Sequence, residues 1–250
     1  MFYSFDTAVY AAFGHIQTNW MNVVAQAFTF LGSGYVIVGL LVLSIAALFF
    51  KKTRKYGFAL IAAVALELLV VNVIMKPAFA RPRPYVGLEG SSFWHLYQAM
   101  HAFAGNVTAS DYSFPSGHTA TAFSIFLSLA LTQRTDGKKW IWWFLPVPFL
   151  VGASRIYLCV HYPSDVVCGV LVGILVGLAA FGLTYAAMAI IRKRNGEEKA
   201  AMPEKRRRFR GSMFSSTTRK SDLESFKVGA NIKLDYSVMD KYKNKTNYKR

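Results

Sequence analysis

Three short stretches of this 250-residue chain gather cations and imidazoles at fixed spacing. Lys76 precedes Arg83-Pro84. Pro115-Ser116-Gly117-His118 forms the second stretch. Ser154-Arg155 leads to His161 and then to Asp165, four residues further on. Such a set suits a phosphoryl group. Fixed cations neutralise phosphoryl oxygens while charge redistributes in the transition state. Arginine brings a bidentate fork and lysine a point charge. Ser116 and Gly117 stand before an apolar run, where Ser116 could cap a helix whose free N–H groups favour an anion. An Asp at the position of Asp165 can bond one ring nitrogen of His161 and leave the other as a nucleophile. His118 remains as an acid for the leaving oxygen. His118, His161 and Asp165 could instead ligate a metal, but three nearby cations would repel a divalent ion, so no metal is expected.

The elements that position these residues read as membrane helices. More than half of the residues are hydrophobic and only 17% are charged. Apolar runs cover about residues 31–50, 56–75, 117–131, 140–153 and 166–191. About twenty helical residues match one hydrocarbon thickness. The expected fold is therefore all-α, a polytopic membrane bundle of about five spans. Residues 1–30 form a separate N-terminal element. Phe5, Val9, Phe13, Ile16, Trp20, Val24 and Phe28 recur at helical spacing between polar residues, as in one amphipathic helix. It either lies at the membrane interface or packs on its own protein. Residues 31–191 are the membrane domain.

The net charge of +16 looks like that of a nucleic-acid binder, but it is unevenly spread. From Arg192 onward, 18 Lys/Arg face 7 Asp/Glu, which is +11 of the total. Residues 192–250 thus read as a basic, largely disordered tail that meets anionic lipid rather than nucleic acid. The turns at 51–55 and 133–139 are basic too. The positive-inside rule puts both turns and the tail in the cytoplasm, and the three clusters on the extracytoplasmic face. Cys159 and Cys168 suggest no disulfide framework. Two polar residues precede Lys76 in the second span. Asn72, one turn away, either supports the lysine or bonds a neighbouring helix. Glu67 is deeper, an intramembrane carboxylate with either a functional or a structural partner. Phe93 to Phe103 reads as a short surface helix beside the site.

The three clusters, in order and in internal spacing, resemble the type 2 phosphatidic acid phosphatase superfamily, whose pattern is K-x6-RP, PSGH and SR-x5-H-x3-D. The resemblance covers about residues 31–190. It implies that Lys76, Arg83 and Arg155 hold a phosphate together with Ser116 and the Gly117 amide. It implies that His161 attacks phosphorus, that Asp165 orients it, and that His118 protonates the leaving group. Water then hydrolyses the phosphohistidine, with no cofactor. Arg81 falls outside the pattern and is secondary on this reading. The implied activity is hydrolysis of a lipid phosphate or diphosphate within the bilayer. Polyprenyl diphosphate leads on this reading, with phosphatidate and phosphatidylglycerol phosphate next. The rivals are a lipid phosphotransferase using the same phosphohistidine, and a catalytically silent membrane binding protein. Many membrane members have six spans against five counted here, which concerns the N-terminal packing. Oligomeric state is not encoded in any of these features.

Overall fold

The computed structural model describes the backbone of residues 3–201 and the side chains of residues 3–196. Every described element is helical. In chain order they are α1 (Tyr3–Gly14), α2 (Asn19–Leu31), α3 (Gly34–Leu48) and α4 (Arg54–Glu67). A π-helical stretch (Leu68–Met75) continues α4 into α5 (Lys76–Phe79). The short α6 (Pro84–Gly87) and α7 (Trp94–Phe103) follow, then α8 (Gly117–Arg134). A 3-10 turn (Trp140–Phe144) leads into α9 (Pro146–Tyr157), and α10 (Pro163–Ala201) closes the series. The chain forms two units, Met1–Ile191 and Arg192–Arg250. The described part of the second unit is the end of α10. The expectation of a disordered tail otherwise lies outside the described residues.

α8 is the central helix, packed against α4 and α9. Thr119, Thr121, Ser124, Ser128 and Thr132 are all buried along it. Ser124 and Ser128 donate to carbonyls three residues back, at 3.0 and 3.1 Å. A helix enclosed by other helices needs no lipid-facing side chains, and small hydroxyl residues let its neighbours approach. This explains its weak apolar character in sequence. α10 meets it along a glycine seam. A Cβ on Gly169 would lie 2.8 Å from the Ser116 carbonyl oxygen, and one on Gly173 would lie 2.6 Å from that of Ala120. Large apolar side chains such as Val38, Leu43, Phe49, Val73 and Leu175 point outward instead. By length and composition two helices can cross a membrane, Arg54–Gly87 and Pro163–Gly196. A third qualifies if Asn19–Leu31 and Gly34–Leu48, bent by about 40°, count as one crossing.

The single N-terminal helix expected over residues 5–28 is in fact two. The break at residues 15–18 is fixed by polar contacts that a continuous helix would forgo. Gln17 Nε2 donates to the Met100 carbonyl at 3.1 Å, and the Thr18 N–H donates to the Tyr157 hydroxyl at 3.1 Å. Asp6 and Tyr10 of α1 are buried, so this helix packs on its own protein. α7 is likewise more than a surface cover, since Tyr97, Met100 and His101 are buried.

Candidate active site

The three clusters converge. His161 sits in a tight turn between α9 and α10 and is 1% exposed. The turn needs left-handed backbone at Cys159, with φ of 57°. A residue with a Cβ adopts this only where its surroundings impose it. Two fully buried tyrosines do so here. Tyr97 of α7 donates to the Cys159 carbonyl at 2.6 Å, and Tyr10 of α1 donates to the His161 carbonyl at 2.7 Å.

Arg83 crosses to this turn from the segment after α5. Its NH1 donates to the Val160 carbonyl at 2.8 Å and lies 3.0 Å from His161 Nε2. A guanidinium only donates, so Nε2 is the acceptor and a neutral His161 carries its proton on Nδ1. That nitrogen faces Asp165 Oδ2 at 3.5 Å, a looser approach than a full hydrogen bond. Asp165 itself is fully buried and well supplied with donors. The Tyr162 N–H reaches Oδ2 at 3.0 Å, the Ser113 hydroxyl donates to the same oxygen, and Arg81 NH1 reaches Oδ1 at 2.5 Å. Burial first, then the charges of Arg83, Arg155 and Lys76, hold the His161 imidazole well below its ordinary value. The ring is thereby kept neutral, with the lone pair of Nε2 directed at cations.

Lys76 and Arg155 complete the cationic ring, and both are buried. The Arg155 guanidinium donates through NH1 to the Thr29 hydroxyl of α2, and its Nε has no partner. Gly117 opens α8 beside the lysine. A Cβ there would stand 3.6 Å from Lys76 Nζ, 3.7 Å from Glu67 Oε1 and 3.9 Å from Asn72 Oδ1. Asn72 is exposed and lies beside the lysine, one helical turn below it. Glu67 bonds Thr121 and leaves Oε1 unpartnered at the same place. Ser116 occupies the N-cap position of α8 without capping through its side chain. Its Oγ accepts from the Thr119 hydroxyl at 2.9 Å, and its N–H donates to the Asp165 carbonyl at 3.1 Å. The expected cap is therefore replaced by a tie between α8 and α10. His118, half-buried, is within electrostatic reach of His161, Arg155, Lys76 and Arg83. Its ring packs over Gly32, where a Cβ would come within 2.8 Å of Cδ2.

Four contributors are either unmarked in the sequence or secondary there. Asp111 accepts from both Lys76 Nζ and Arg83 NH2, so a carboxylate of the chain bridges two of the cations. Burial alone would raise its pKa. The hydrogen bond from Lys76 and the charges of Arg83 and Lys76 together outweigh that and hold it at about 2. Ser113 and Asp6 are the second and third. Arg81 is the fourth, and its rank as secondary is corrected. It pairs with Asp165 and with Asp6 and lies 3.7 Å over the Tyr162 ring.

Residues 52–189 match the family model of the PAP2 superfamily. The chain is 34% identical over 143 residues to a lipid A 4'-phosphatase of Porphyromonas gingivalis, covering 54% of this chain and 57% of that protein. It is 30% identical over 179 residues to phosphatidylglycerophosphatase B of Bacillus subtilis, covering 69% and 79%. It is 29% identical over 148 residues to the undecaprenyl-diphosphatase BcrC of the same organism, covering 59% and 68%. Thus the chain spans little more than half of the first relative and about four fifths of the second. Among solved structures, a transmembrane PAP2-type phosphatidylglycerolphosphate phosphatase from Bacillus subtilis superposes with a TM-score of 0.57 at 27% identity. That match covers 73% of this chain and 86% of that one. Aquifex aeolicus LpxE superposes with a TM-score of 0.52 at 30% identity, covering 70% and 93%.

Proposed function

Because the chain belongs to the PAP2 superfamily, we propose that it hydrolyses a lipid phosphate or diphosphate through a phosphohistidine on His161. One observation carries the proposal. His161 turns Nε2 toward a cation at 3.0 Å and Nδ1 toward a buried carboxylate. Nucleophilic attack needs this asymmetry. As the bond from Nε2 to phosphorus forms, the bond from phosphorus to the leaving oxygen breaks, and His118 gives that oxygen a proton. The ring becomes positive, and Asp165 stabilises it across Nδ1–H. Lys76, Arg83 and Arg155 hold the phosphoryl oxygens, aided by Ser116 and the Gly117 N–H at the start of α8. Asn72 supports Lys76. In the second half, water attacks phosphorus while His118 takes its proton. The nitrogen–phosphorus bond breaks and inorganic phosphate leaves.

Polyprenyl diphosphate leads among substrates, with phosphatidate or phosphatidylglycerol phosphate next. The relatives' names cover undecaprenyl diphosphate, phosphatidylglycerophosphate and lipid A. On this reading the chain crosses the membrane five times, through the bent pair or α3, then α4 to α5, α8, α9 and α10; length and composition support two or three of these crossings. The basic turns and the tail face the cytoplasm, and the site faces outward. The test is phosphate release in detergent with excess EDTA, comparing the intact chain with His161→Ala on all three lipids. Release should fall by at least about a thousandfold in the variant. Release that survives the substitution would sink the nucleophile. Phosphate appearing on an added acceptor lipid rather than in solution would identify a transferase.

A further inference from the structure

The family match begins at residue 52, yet Arg155, His118, His161 and Arg81 are each touched from before it. Thr29 holds Arg155, and Gly32 lies under the His118 ring. Most of the hydrogen bonds from this segment come from α1. Asp6 and Tyr10 are four residues apart and so share one helix face. Both are buried, at 1% and 0% exposure. Asp6 Oδ1 accepts from the Ser164 N–H at 2.8 Å. This satisfies one of the free N–H groups that open α10 and puts negative charge at its positive end. Oδ2 accepts from the Ser164 hydroxyl at 2.9 Å and from Arg81 NH2 at 2.9 Å. The other arm of Arg81 donates to Asp165 Oδ1 at 2.5 Å and to Ser164 Oγ at 2.8 Å. One cation thus serves two buried carboxylates, and the second is the one that faces His161.

A buried charge is tolerated only when paired. Packing α1 on the bundle would be met by an apolar residue at position 6. A carboxylate there acts on Arg81. With Asp6 present, the single charge of Arg81 is divided, and Asp165 keeps negative charge for the imidazolium that forms beside it. Without Asp6, Arg81 would give its charge to Asp165 alone and would lose one of its anchors. Tyr10 acts on the same histidine from the backbone side through the His161 carbonyl.

We propose that α1 is part of the catalytic scaffold: Asp6 positions Asp165 through Arg81, and Tyr10 positions His161 through its carbonyl. This rests on the reading of His161 as the nucleophile. Neither residue touches the phosphate, so both are positioning residues.

The test uses the full chain in detergent, with polyprenyl diphosphate, phosphatidylglycerol phosphate and phosphatidate as probes. Asp6→Asn keeps the volume and the acceptor for Ser164 while removing the charge on Arg81. Its kcat should fall about tenfold with KM within about twofold, because the phosphate-binding cations are untouched. Asp6→Glu, which restores the charge, should recover part of the loss. In histidine-labelled protein, the nitrogen signals of the His161 ring should move in Asp6→Asn. Unchanged kcat and unmoved His161 signals would overturn the proposal, whatever happens to the melting temperature. So would a raised KM at constant kcat. If Asp6→Asn does not fold, Tyr10→Phe decides by the same two readouts. If the unaltered chain hydrolyses none of the lipids while the His161 signals still move, the hydrolase reading fails and the positioning role stands. If neither occurs, both fail.

Discussion

Asp111 lies where two of the cations proposed to hold phosphate meet, and on that proposal removing its charge should tighten phosphate binding. Its carboxylate bridges Lys76 and Arg83, so a phosphoryl group must displace it to reach both. Lys76 and Arg83 are nearly buried, whereas the Asp111 side chain keeps 48% exposure, so water screens the pairs from one side. Each contact then contributes about 0.5–1 kcal/mol, and the two together about 1–2 kcal/mol. Relief of that competition corresponds to about a 5- to 30-fold change in a dissociation constant. The perturbation is Asp111→Asn, which keeps the volume. The assay is competitive inhibition of lipid hydrolysis by inorganic phosphate at fixed ionic strength, with the inhibition constant expected to fall by that factor. The pH dependence follows from the sign of the shift. A carboxyl held at about 2 is fully ionised above its ordinary value near 3.8, and its pairing is lost only as pH falls through about 2. The difference between the two proteins should therefore be constant above about pH 4. An inhibition constant that is unchanged or raised in Asp111→Asn would refute competition. It would show instead that the carboxylate aligns Lys76 and Arg83 for the phosphate.

Two other perturbations test the site and its frame. The depressed His161 value means that an unfolded chain takes up a proton near the ordinary imidazole value of about 6.5 while the folded one does not. This group's contribution to stability is thus level above about pH 6.5 and declines below it, and the acidic limb of kcat/KM should lie below the ordinary imidazole value. The groups facing the ring are Arg83, Arg155 and Lys76 on one side and Asp165 on the other. A chemistry-limited profile with an acidic limb centred near or above the ordinary imidazole value would contradict the assignment. Gly173→Ala should lower the melting temperature by an amount equivalent to about 1–3 kcal/mol, since the added methyl would lie 2.6 Å from the Ala120 carbonyl oxygen and 2.7 Å from Phe123 Cβ. Gly182→Ala, with nothing within 4 Å of the new methyl, is the control and should show no such loss. Equal melting temperatures for the two variants would remove the seam as the contact that sets α8 against α10.

The residues proposed to hold a phosphate follow a fixed spacing in the sequence, and the residues that balance them do not. The difference is geometric. In the proposed mechanism Lys76, Arg83, Arg155, His118 and His161 must all stand at set distances from one phosphorus. Each therefore sits at a helix end or in a tight turn beside one, and its distance along the chain from its neighbours in the same cluster is constrained. A counter-ion need only approach one cation, from any direction. Asp6 reaches Ser164 across 158 positions and Arg81 across 75. Asp111 reaches Lys76 across 35 positions and Arg83 across 28. The trace of Asp6 in the sequence is only that an ionised residue on an apolar helix face needs a partner, a rule that names no partner, and Asp111, in the irregular segment before α8, lacks even that. The same contrast holds for the scaffold. Helical periodicity runs through the break between α1 and α2, since Phe13, Ile16 and Trp20 keep step across it. The contacts that break it, to Met100 and Tyr157, are remote in sequence. The glycine seam on α10 leaves a local trace, because small residues every fourth position mark one face for close approach. α8, its partner, was legible only in length, because an enclosed helix owes its composition to neighbours rather than to lipid. Local patterns encode what one segment presents. The charge balance around Asp165 is set between segments, and so it is at Asp6 and Arg81 that sequence variation within a constant motif would tune His161.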